Sequence, residues 1–336
     1  MGVRLPEGCN PQDGLAWANR INENNPRLMG ERMLHDVTTQ GFAITVATPE
    51  QAGMLKNLHD TAQQFSELPR EIQDQAAEAN QGWHGWGMAT SAPGIPDLGG
   101  SYRESSKLEV SPDAHPAVYG LWRACQKVRG IFTDGANVFY DALGRKYNAP
   151  APFKTHNDSQ VNLYYMPDEV ELERFNQKYG KRWTIEDVQN APYTVAPHDD
   201  WDGLSMGTKA RTLGKSSGPA LHLALEGVQT DDPFGAKDEP FDPDKYVPVT
   251  LAADEILWYP GNVLEVLTGG EIMRTPHFAK NVGDRNAILG FSTLDFWKYA
   301  KQGEKVPPLV VNDTNRQLDD VCEMAAKIEE RFDYKI

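Results

Sequence analysis

Cysteine is scarce in this chain of 336 residues: Cys9, Cys125 and Cys322 stand far apart. An odd number at such wide spacing predicts neither a disulfide framework nor a cysteine-based metal site. The sequence also lacks a run of about 20 apolar residues, the length that spans a bilayer, and its N-terminus has no apolar signal segment. These absences predict a soluble cytoplasmic protein without a membrane partner.

Positive charge is in deficit as well. Lysine and arginine number 33 against 48 aspartates and glutamates, which gives a formal net charge of −15. Nucleic acids are bound through clustered positive charge, so the composition predicts no nucleic-acid partner. The hydrophobic share of 40% provides enough apolar material for one large core or two smaller ones. Either a monomer or a homodimer fits these numbers.

The first half of the chain has a helical pattern. Thr48 and Pro49 form an N-cap and first-turn pair, and residues 49–67 continue with apolar positions at helical spacing. Residues 115–146 are amphipathic and free of proline after Pro116, which predicts one long helix or two joined helices. The charged amphipathic segment 312–333 predicts a further helix at the C-terminus.

Beyond about residue 155 the pattern changes to short β-type runs separated by proline, glycine and aspartate. A series of such strands predicts an antiparallel sandwich or barrel. The runs are residues 160–166, 193–197, 219–225, 246–251, 255–259, 262–267, 272–280 and 286–293. We expect one structural unit in three parts. These are an N-terminal helical region over 1–155 that adds a few strands to the core, a β core over 156–300, and a helical tail over 301–336.

The residues that suggest chemistry lie in this β-rich half. His198 and Asp200 are two positions apart, so on a strand their side chains point to the same face. With His277 they would provide two imidazoles and one carboxylate, the facial triad of non-haem Fe(II) oxygenases, which leaves coordination positions open. The His-x-Asp pair alone also fits a loop histidine beside solvated acids, because Asp199 and Asp202 make the segment acidic.

A series of short motifs then connects the triad to a known family. In chain order they are GFAITV at 41–46, FSELP at 65–69, GWG at 85–87, RESSKL at 103–108, NLYYMP at 162–167, HDDWDGL at 198–204 and YPGNVLEVLTGG at 259–270. In this order they resemble the isopenicillin-N-synthase-like branch of the Fe(II)/2-oxoglutarate dioxygenases over nearly the whole chain. The resemblance implies a double-stranded β-helix (jelly-roll) core, mainly β with helical additions, and O₂ activation by Fe(II).

Residue by residue, the resemblance assigns His198, Asp200 and His277 as the catalytic iron ligands. It assigns Arg285 to the distal carboxylate of the co-substrate 2-oxoglutarate, because a planar guanidinium matches a carboxylate in a bidentate way. Tyr164 and Asn162 would lie at the same co-substrate.

The chain departs from the family pattern next to Arg285. Where the family has Arg-x-Ser or Arg-x-Thr, this chain has Ala287, so a hydroxyl is missing. The segment 268–277 resembles the ethylene-forming subgroup, which tolerates alanine there, so 2-oxoglutarate stays the expected co-substrate.

For the substrate, the sequence suggests Arg103, Tyr102 and Phe291. Arg103 would bind a substrate carboxylate, or it belongs to a salt-bridged surface strand. Phe291 would line the pocket or pack in the core, and the tryptophans Trp83, Trp86 and Trp201 have the same two alternatives. The long stretches 168–192 and 207–245 are interpreted as loops over the barrel mouth, with inert surface loops as the alternative.

The expected activity is hydroxylation, desaturation or oxidative cyclisation at a C–H bond of a small molecule, either an amino acid or a specialised metabolite. Asp200 argues against halogenation, because halogenating relatives have an open position where this carboxylate binds. One alternative is an oxidase that uses Fe(II) and O₂ without 2-oxoglutarate. The other is a jelly-roll binding protein with a vestigial metal site.

Overall fold

The computed structural model describes most of the chain. The described residues are 2–78, 81–89, 91, 95–105, 108–149, 153–214, 218–228, 242–312, 315 and 320–321. The predicted C-terminal helix therefore lies almost wholly outside the described residues, as does much of the stretch 207–245. Within the described part, no helix has both the length and the apolar character needed to cross a membrane.

Several helices of the described residues begin at recognisable caps. Thr48 and Gln51 form a capping box ahead of Pro49, and Asn25 caps the helix that begins at Pro26. The predicted helices over 49–67 and 115–146 are confirmed, the second as one continuous helix. The helices are α1 (Pro26–Gln40), α2 (Pro49–Ser66), α3 (Arg70–Gln73), α4 (Pro116–Lys146), α5 (Glu169–Tyr179), α6 (Ile185–Asn190), α7 (Asn262–Leu267) and α8 (Phe296–Lys301).

The strands form two antiparallel sheets. They are β1 (Ala43–Val46), β2 (Ala77–Glu78), β3 (Gln81–His84), β4 (Gly100–Glu104), β5 (Thr155–Tyr164), β6 (Tyr193–His198), β7 (Leu204–Thr208), β8 (Arg211–Thr212), β9 (Leu221–Ala224), β10 (Tyr246–Pro248), β11 (Glu255–Pro260), β12 (His277–Lys280) and β13 (Arg285–Leu294). The large sheet has the order β1-β11-β7-β13-β5-β4-β3-β2, with β8 on β13, and the small sheet has the order β10-β9-β12-β6. This is the predicted jelly-roll core with helical additions.

Alternation along the large sheet separates a helix-facing side from an inner side. Trp258 on β11 packs edge-on against Phe132 of α4 with ring centroids 6.3 Å apart, within the core that α1, α2 and α4 share with the sheet. Its neighbours in sequence, Leu257 and Tyr259, turn the other way and pack between the sheets with Leu223 of β9. The inner side is therefore where side chains of the two sheets meet.

The segment 262–267, predicted as a strand, is the helix α7. Its buried apolar residues Val263, Leu264 and Leu267 stand one and four positions apart, which is the spacing of one helix face. A six-residue apolar run fits either a buried strand or a buried helix by composition. Tertiary contacts decide here, because the first N–H groups of the helix bond to carbonyls of the loop after β6.

The stretch 168–192, interpreted as a loop, contains the helices α5 and α6. Asp168 and Thr184 each form a capping box at the start of these helices. Phe175 of α5 packs against Trp86 with ring centroids 5.3 Å apart, in a small core of its own. The segment is therefore a packed helical addition, and Trp86 is part of its small hydrophobic core.

Candidate metal centre and co-substrate pocket

The three candidate ligands converge at one end of the small sheet. His198 ends β6, His277 begins β12, and the two residues pair across the ladder. Their ring centroids lie 4.3 Å apart. The Asp200 carboxylate lies 3.4 Å from Nε2 of His198 and 3.5 Å from Nε2 of His277. All three ligand atoms lie within 4.8 Å of one another, close enough to share one metal ion.

Backbone carbonyls fix the orientation of both imidazoles. Nδ1 of His198 lies 2.8 Å from the carbonyl oxygen of Ala196, and Nδ1 of His277 lies 3.2 Å from that of Thr275. A carbonyl only accepts, so each Nδ1 carries the hydrogen and donates it. In the neutral ring, Nε2 then has the lone pair, and both Nε2 atoms lie beside Asp200; this is the tautomer that binds a metal.

The electrostatics of the cluster suit a cation. Burial, together with the charge of His198, lowers the pKa of His277 to about 4 against the attraction of Asp200. Burial also opposes charge on the other two groups. The contacts with Asp200 nevertheless raise the pKa of His198, and the two histidines with Ser205 lower the pKa of Asp200. At neutral pH the site therefore contains an ionised carboxylate and a neutral His277.

Two further side chains meet the cluster, and sequence reasoning did not single them out. Ser205 of β7 donates to Asp200 at 2.6 Å and lies 2.9 Å from Oδ1 of Asp202. The Tyr259 hydroxyl lies 3.4 Å from Nε2 of His277. Burial keeps the pKa of Tyr259 well above its usual value, so its phenol stays protonated. The sequence signals for them are weak. Ser205 stands near the start of a strand just after the His-x-Asp segment, and Tyr259 stands near the end of a strand in the motif YPGN.

The loop that carries Asp200 is held by the start of α7. The backbone N–H groups of Asn262 and Val263 donate to the carbonyls of Asp200 and Asp202 at 2.9 and 3.0 Å. Gly261 permits this approach, because a Cβ there would lie 2.5 Å from the Asp202 carbonyl oxygen and 2.7 Å from that of Asp200. The loop therefore rests against a position that tolerates no side chain.

The Gly261→Ala variant is accordingly expected to unfold more easily by about 1–3 kcal/mol, the typical cost of overpacking, and to bind metal more weakly. Thermal unfolding and metal titration measure the two effects. Gly120→Ala is the matched control. A Cβ at Gly120 in α4 meets nothing within 4 Å, so alanine there should stabilise the helix by roughly 0.5–1 kcal/mol. Unchanged metal binding in Gly261→Ala would contradict the role given to α7.

At the other end of the inner side lies a buried arginine with spare hydrogen-bonding capacity. Arg285 is 2% exposed; it donates to the Thr194 hydroxyl at 2.6 Å and to the Gly283 carbonyl at 3.1 Å. Its guanidinium carbon lies 3.9 Å from the centre of the Tyr164 ring. Its Nε is buried without a hydrogen-bond partner among the described residues. A buried donor on a cation is a place for an anion.

A polar ladder on β5 leads from the metal end towards Arg285. Gln160 donates to Asn162 at 2.6 Å, and Asn162 donates to the Tyr164 hydroxyl at 2.9 Å. Burial raises the pKa of Tyr164 to about 12 against the opposing charge of Arg285. The phenol therefore keeps its proton and can donate it. Tyr165 points away and donates to Glu171 instead, as strand alternation predicts.

One cavity of about 280 Å³ connects these features. It is lined by the three candidate ligands, Arg285, Tyr164 and Asn162, with Ala287 on the same wall and apolar side chains including Phe291 around them. Across the β13–β5 ladder, Arg285 pairs with Tyr164 and Ala287 with Asn162. The structure thus brings all six residues predicted for metal and co-substrate to a single chamber.

Two of the three residues suggested for the substrate lie elsewhere. Tyr102 is fully buried and packs against Phe65, 6.1 Å between ring centres, so it belongs to the core. Arg103 donates to Asp158 through Nε at 2.9 Å and Nη2 at 2.6 Å, and neither it nor Tyr102 lines the cavity. Phe291 does line the cavity. The guanidinium carbon of Arg103 lies over the Phe291 ring, 5.9 Å from its centroid.

The tryptophans considered for an aromatic wall do not line this cavity either. Trp83 packs against Phe65 with ring centres 5.1 Å apart, and Trp86 belongs to the small core around Phe175. Trp201 is half-buried against the main core. Packing, the alternative interpretation, is therefore what the structure shows for all three.

Three solved structures share this fold at low sequence identity. A full-length Neurospora crassa protein, in complex with α-ketoglutarate (2-oxoglutarate), has a TM-score of 0.60 and 14% identity, covering 94% of this chain and 95% of that chain. A 2OG-Fe(II) oxygenase family protein of Caulobacter crescentus has a TM-score of 0.58 and 14% identity, covering 93% and 99%. JOX2, in complex with 2OG, Fe and JA, has a TM-score of 0.57 and 10% identity, covering 94% and 83%.

Comparison by sequence adds no relative. No protein-family model matches the chain, and no curated protein matches it. What the comparisons show is therefore the fold, which this chain has in common with Fe(II)/2-oxoglutarate oxygenases.

Proposed function

We propose that this chain is an Fe(II)- and 2-oxoglutarate-dependent oxygenase that acts on a C–H bond of a small molecule. One observation carries the proposal. A single cavity contains His198, Asp200 and His277 at metal-sharing distances together with Arg285, whose buried Nε has no partner among the described residues. The shared fold is consistent with this function but leaves the activity of the chain open.

The donor set fits Fe(II). Two neutral imidazole nitrogens and one carboxylate oxygen are the ligands that non-haem iron takes in this class, with further positions left for co-substrate and O₂. In this chain, backbone carbonyls orient both imidazoles and Ser205 holds the carboxylate. His198, Asp200 and His277 would therefore hold the ion as catalytic residues.

The far end of the cavity fits 2-oxoglutarate. Arg285 would bind the distal carboxylate with its unpartnered Nε, while Thr194 and Gly283 hold the rest of the guanidinium. Tyr164 would donate its phenol proton to the same carboxylate, and Asn162 would orient that phenol. When bound, iron, O₂ and 2-oxoglutarate would supply oxidation of a substrate C–H bond coupled to decarboxylation of 2-oxoglutarate to succinate.

The substrate we propose is a small molecule, either an amino acid or a specialised metabolite, that is hydroxylated, desaturated or cyclised. The cavity, about 280 Å³, lies just below the roughly 300–1,000 Å³ typical of small-molecule sites. Phe291 provides an apolar wall. Among the fold neighbours, the Neurospora crassa protein is also solved with thymine and JOX2 with JA, both small molecules. The location proposed with this function is the cytoplasm.

The test is stoichiometry. Anaerobic chain loaded with Fe(II) is mixed with 2-oxoglutarate and O₂ over a panel of candidate substrates, and succinate is measured per O₂ consumed. One succinate per O₂ is expected. Oxygen consumption with substrate but without succinate would replace the proposal with an oxidase that uses no 2-oxoglutarate, in which Arg285 holds the substrate carboxylate. Ala287, which lacks the usual hydroxyl, favours this second candidate.

If the chain binds no Fe(II), both oxygen-using candidates fail. The remaining candidate is then a jelly-roll binding protein with a vestigial metal site.

The Ala287→Ser variant separates the first two candidates further. Ala287 lines the cavity beside Arg285, so a serine hydroxyl there should add one hydrogen bond to the bound carboxylate. We expect the Kd for 2-oxoglutarate to fall by roughly 2- to 10-fold, the equivalent of about 0.5–1.5 kcal/mol. Titration followed by the charge-transfer absorbance of the Fe(II) complex measures it. An unchanged Kd would speak against a carboxylate at this end of the cavity.

A further inference from the structure

A buried ion pair joins the two chain segments that carry the candidate ligands. Nε of Arg274 lies 2.9 Å from Oδ2 of Asp199, and the two side chains are 9% and 0% exposed. Arg274 also meets Glu265 of α7, through Nη1 at 3.6 Å and through its backbone N–H, which donates at 2.8 Å. One arginine therefore lies against two carboxylates in an almost dry environment.

The positions of the two residues connect this pair to the site. Asp199 stands between His198 and Asp200, and strand alternation turns it away from the cavity that its neighbours line. Arg274 precedes His277 by three residues. Neither Asp199 nor Arg274 lines the cavity. The pair thus connects the two ligand segments on the side that faces away from the cavity.

The backbone ladder between these segments is irregular next to the ligands. His198 pairs with His277, and the β6–β12 register shifts between His277 and Ala279 and again between Ala279 and Lys280. A side-chain tie next to the ligands would compensate for the irregular ladder. Among the described residues, the Arg274–Asp199 pair provides such a tie, whereas each imidazole bonds to a carbonyl of its own segment.

We propose that the Arg274–Asp199 ion pair is a clamp that sets the separation of the His198–Asp200 segment from His277. The proposal rests on the proposed function in one respect, that these residues bind a metal ion. Arg274 and Asp199 are positioning residues, since they act through the backbone of the ligands. Replacing a residue that orients the metal ligands without binding the metal itself typically lowers the metal affinity by about 10- to 100-fold.

The clamp and a simple charge effect predict opposite results for one variant. Arg274→Met removes a positive charge and leaves the carboxylate of Asp199 in place. If only the electric field mattered, a divalent cation would bind more tightly to this variant. If the ion pair positions the ligands, the cation binds more weakly, by about 10- to 100-fold. The double variant Asp199→Asn/Arg274→Met removes both charges and should stay weak.

The experiment uses the full chain, freed of metal and titrated with Co(II) by calorimetry without O₂, alongside thermal unfolding of the metal-free protein. Arg274→Lys is the second variant if Arg274→Met fails to fold, because it keeps the charge and loses the planar fork. It should also bind Co(II) more weakly. The control is Arg129→Met, which breaks a comparable pair with Glu104, 2.8 Å apart at 24% and 0% exposure, outside the cavity.

Weaker Co(II) binding in the Arg274 variants, with Arg129→Met unchanged in affinity, is the expected result. Equal or tighter binding in the Arg274 variants would overturn the clamp. An equal loss in Arg129→Met would also overturn it, because any buried ion pair would then have the same effect. If the unaltered chain binds neither Co(II) nor Fe(II), the proposed function itself fails, and the two failures are therefore distinguishable.

Discussion

The His277→Ala variant is expected to form no succinate from 2-oxoglutarate and to bind Fe(II) more than about 100-fold more weakly, since even partners outside the ligand set account for ~10–100-fold. The variant removes one of the three donors that lie within 4.8 Å of one another. Metal that binds the folded state also stabilises it, by about 2.7 kcal/mol at a hundred times the Kd. The rise in melting temperature on adding Fe(II) without O₂ should therefore disappear in this variant.

A third histidine provides the matched control. His222 on β9 has the same local geometry, with Nδ1 2.9 Å from the carbonyl oxygen two residues earlier, and its ring stacks on Phe278 at 4.8 Å. It does not belong to the cluster with Asp200. His222→Ala should lose some packing and retain the metal-dependent rise in melting temperature. Equal loss of the rise in both variants would contradict the assignment of His277.

The sequence was sufficient to predict that the three candidate ligands lie together, because its signals are local or ordered. The spacing of His198 and Asp200 matches the two-residue period of a strand, and His277 follows in the order of the family motifs. By the same two-residue period Asp199 falls on the opposite side, and the structure pairs it with Arg274. The antiparallel β-rich core was likewise readable from the series of short β-type runs, while its jelly-roll form was implied by the family resemblance.

Elements whose identity depends on distant contacts were not readable in this way. The run 262–267 becomes helix α7 because the carbonyls of Asp200 and Asp202 accept its first N–H groups. The strand Leu204–Thr208 was missed, since its short run with glycine and serine has little β-type composition. The helices in 168–192 had a signal, the capping boxes at Asp168 and Thr184, but the charge of the segment favoured a loop.

Strand alternation explains why Tyr102 does not line the cavity. Neighbours on a strand face opposite ways, so Tyr102 and Arg103 cannot both face one cavity. The β4–β5 register decides between them: Tyr102 pairs with the core residue Val161, and Arg103 pairs with Gln160, which lines the cavity. Arg103 therefore lies on the cavity side of its strand, but its ion pair with Asp158 holds the guanidinium outside the cavity.

Replacing Arg285 with methionine is expected to raise the Kd for 2-oxoglutarate on the order of 10²- to 10³-fold, while the affinity for Fe(II) stays within a factor of a few. Removing one partner of a buried, hydrogen-bonded charge pair costs about 2–5 kcal/mol. Arg285 is 2% exposed, and its Nε has no other partner among the described residues. Titration of the Fe(II)-loaded chain with 2-oxoglutarate, followed by the charge-transfer absorbance, measures the change.

Arg211→Met is the control for this prediction, because it removes the same charge one strand away. Arg211 pairs with Asn286 across the β8–β13 ladder and forms a half-buried ion pair with Asp60. Its replacement should leave the Kd for 2-oxoglutarate unchanged, since the site depends on a buried donor at one position and not on local positive charge. If neither the unaltered chain nor Arg285→Met binds 2-oxoglutarate, and Arg285→Met loses O₂ consumption with a carboxylate substrate, Arg285 recognises the substrate. The oxidase is then the correct function.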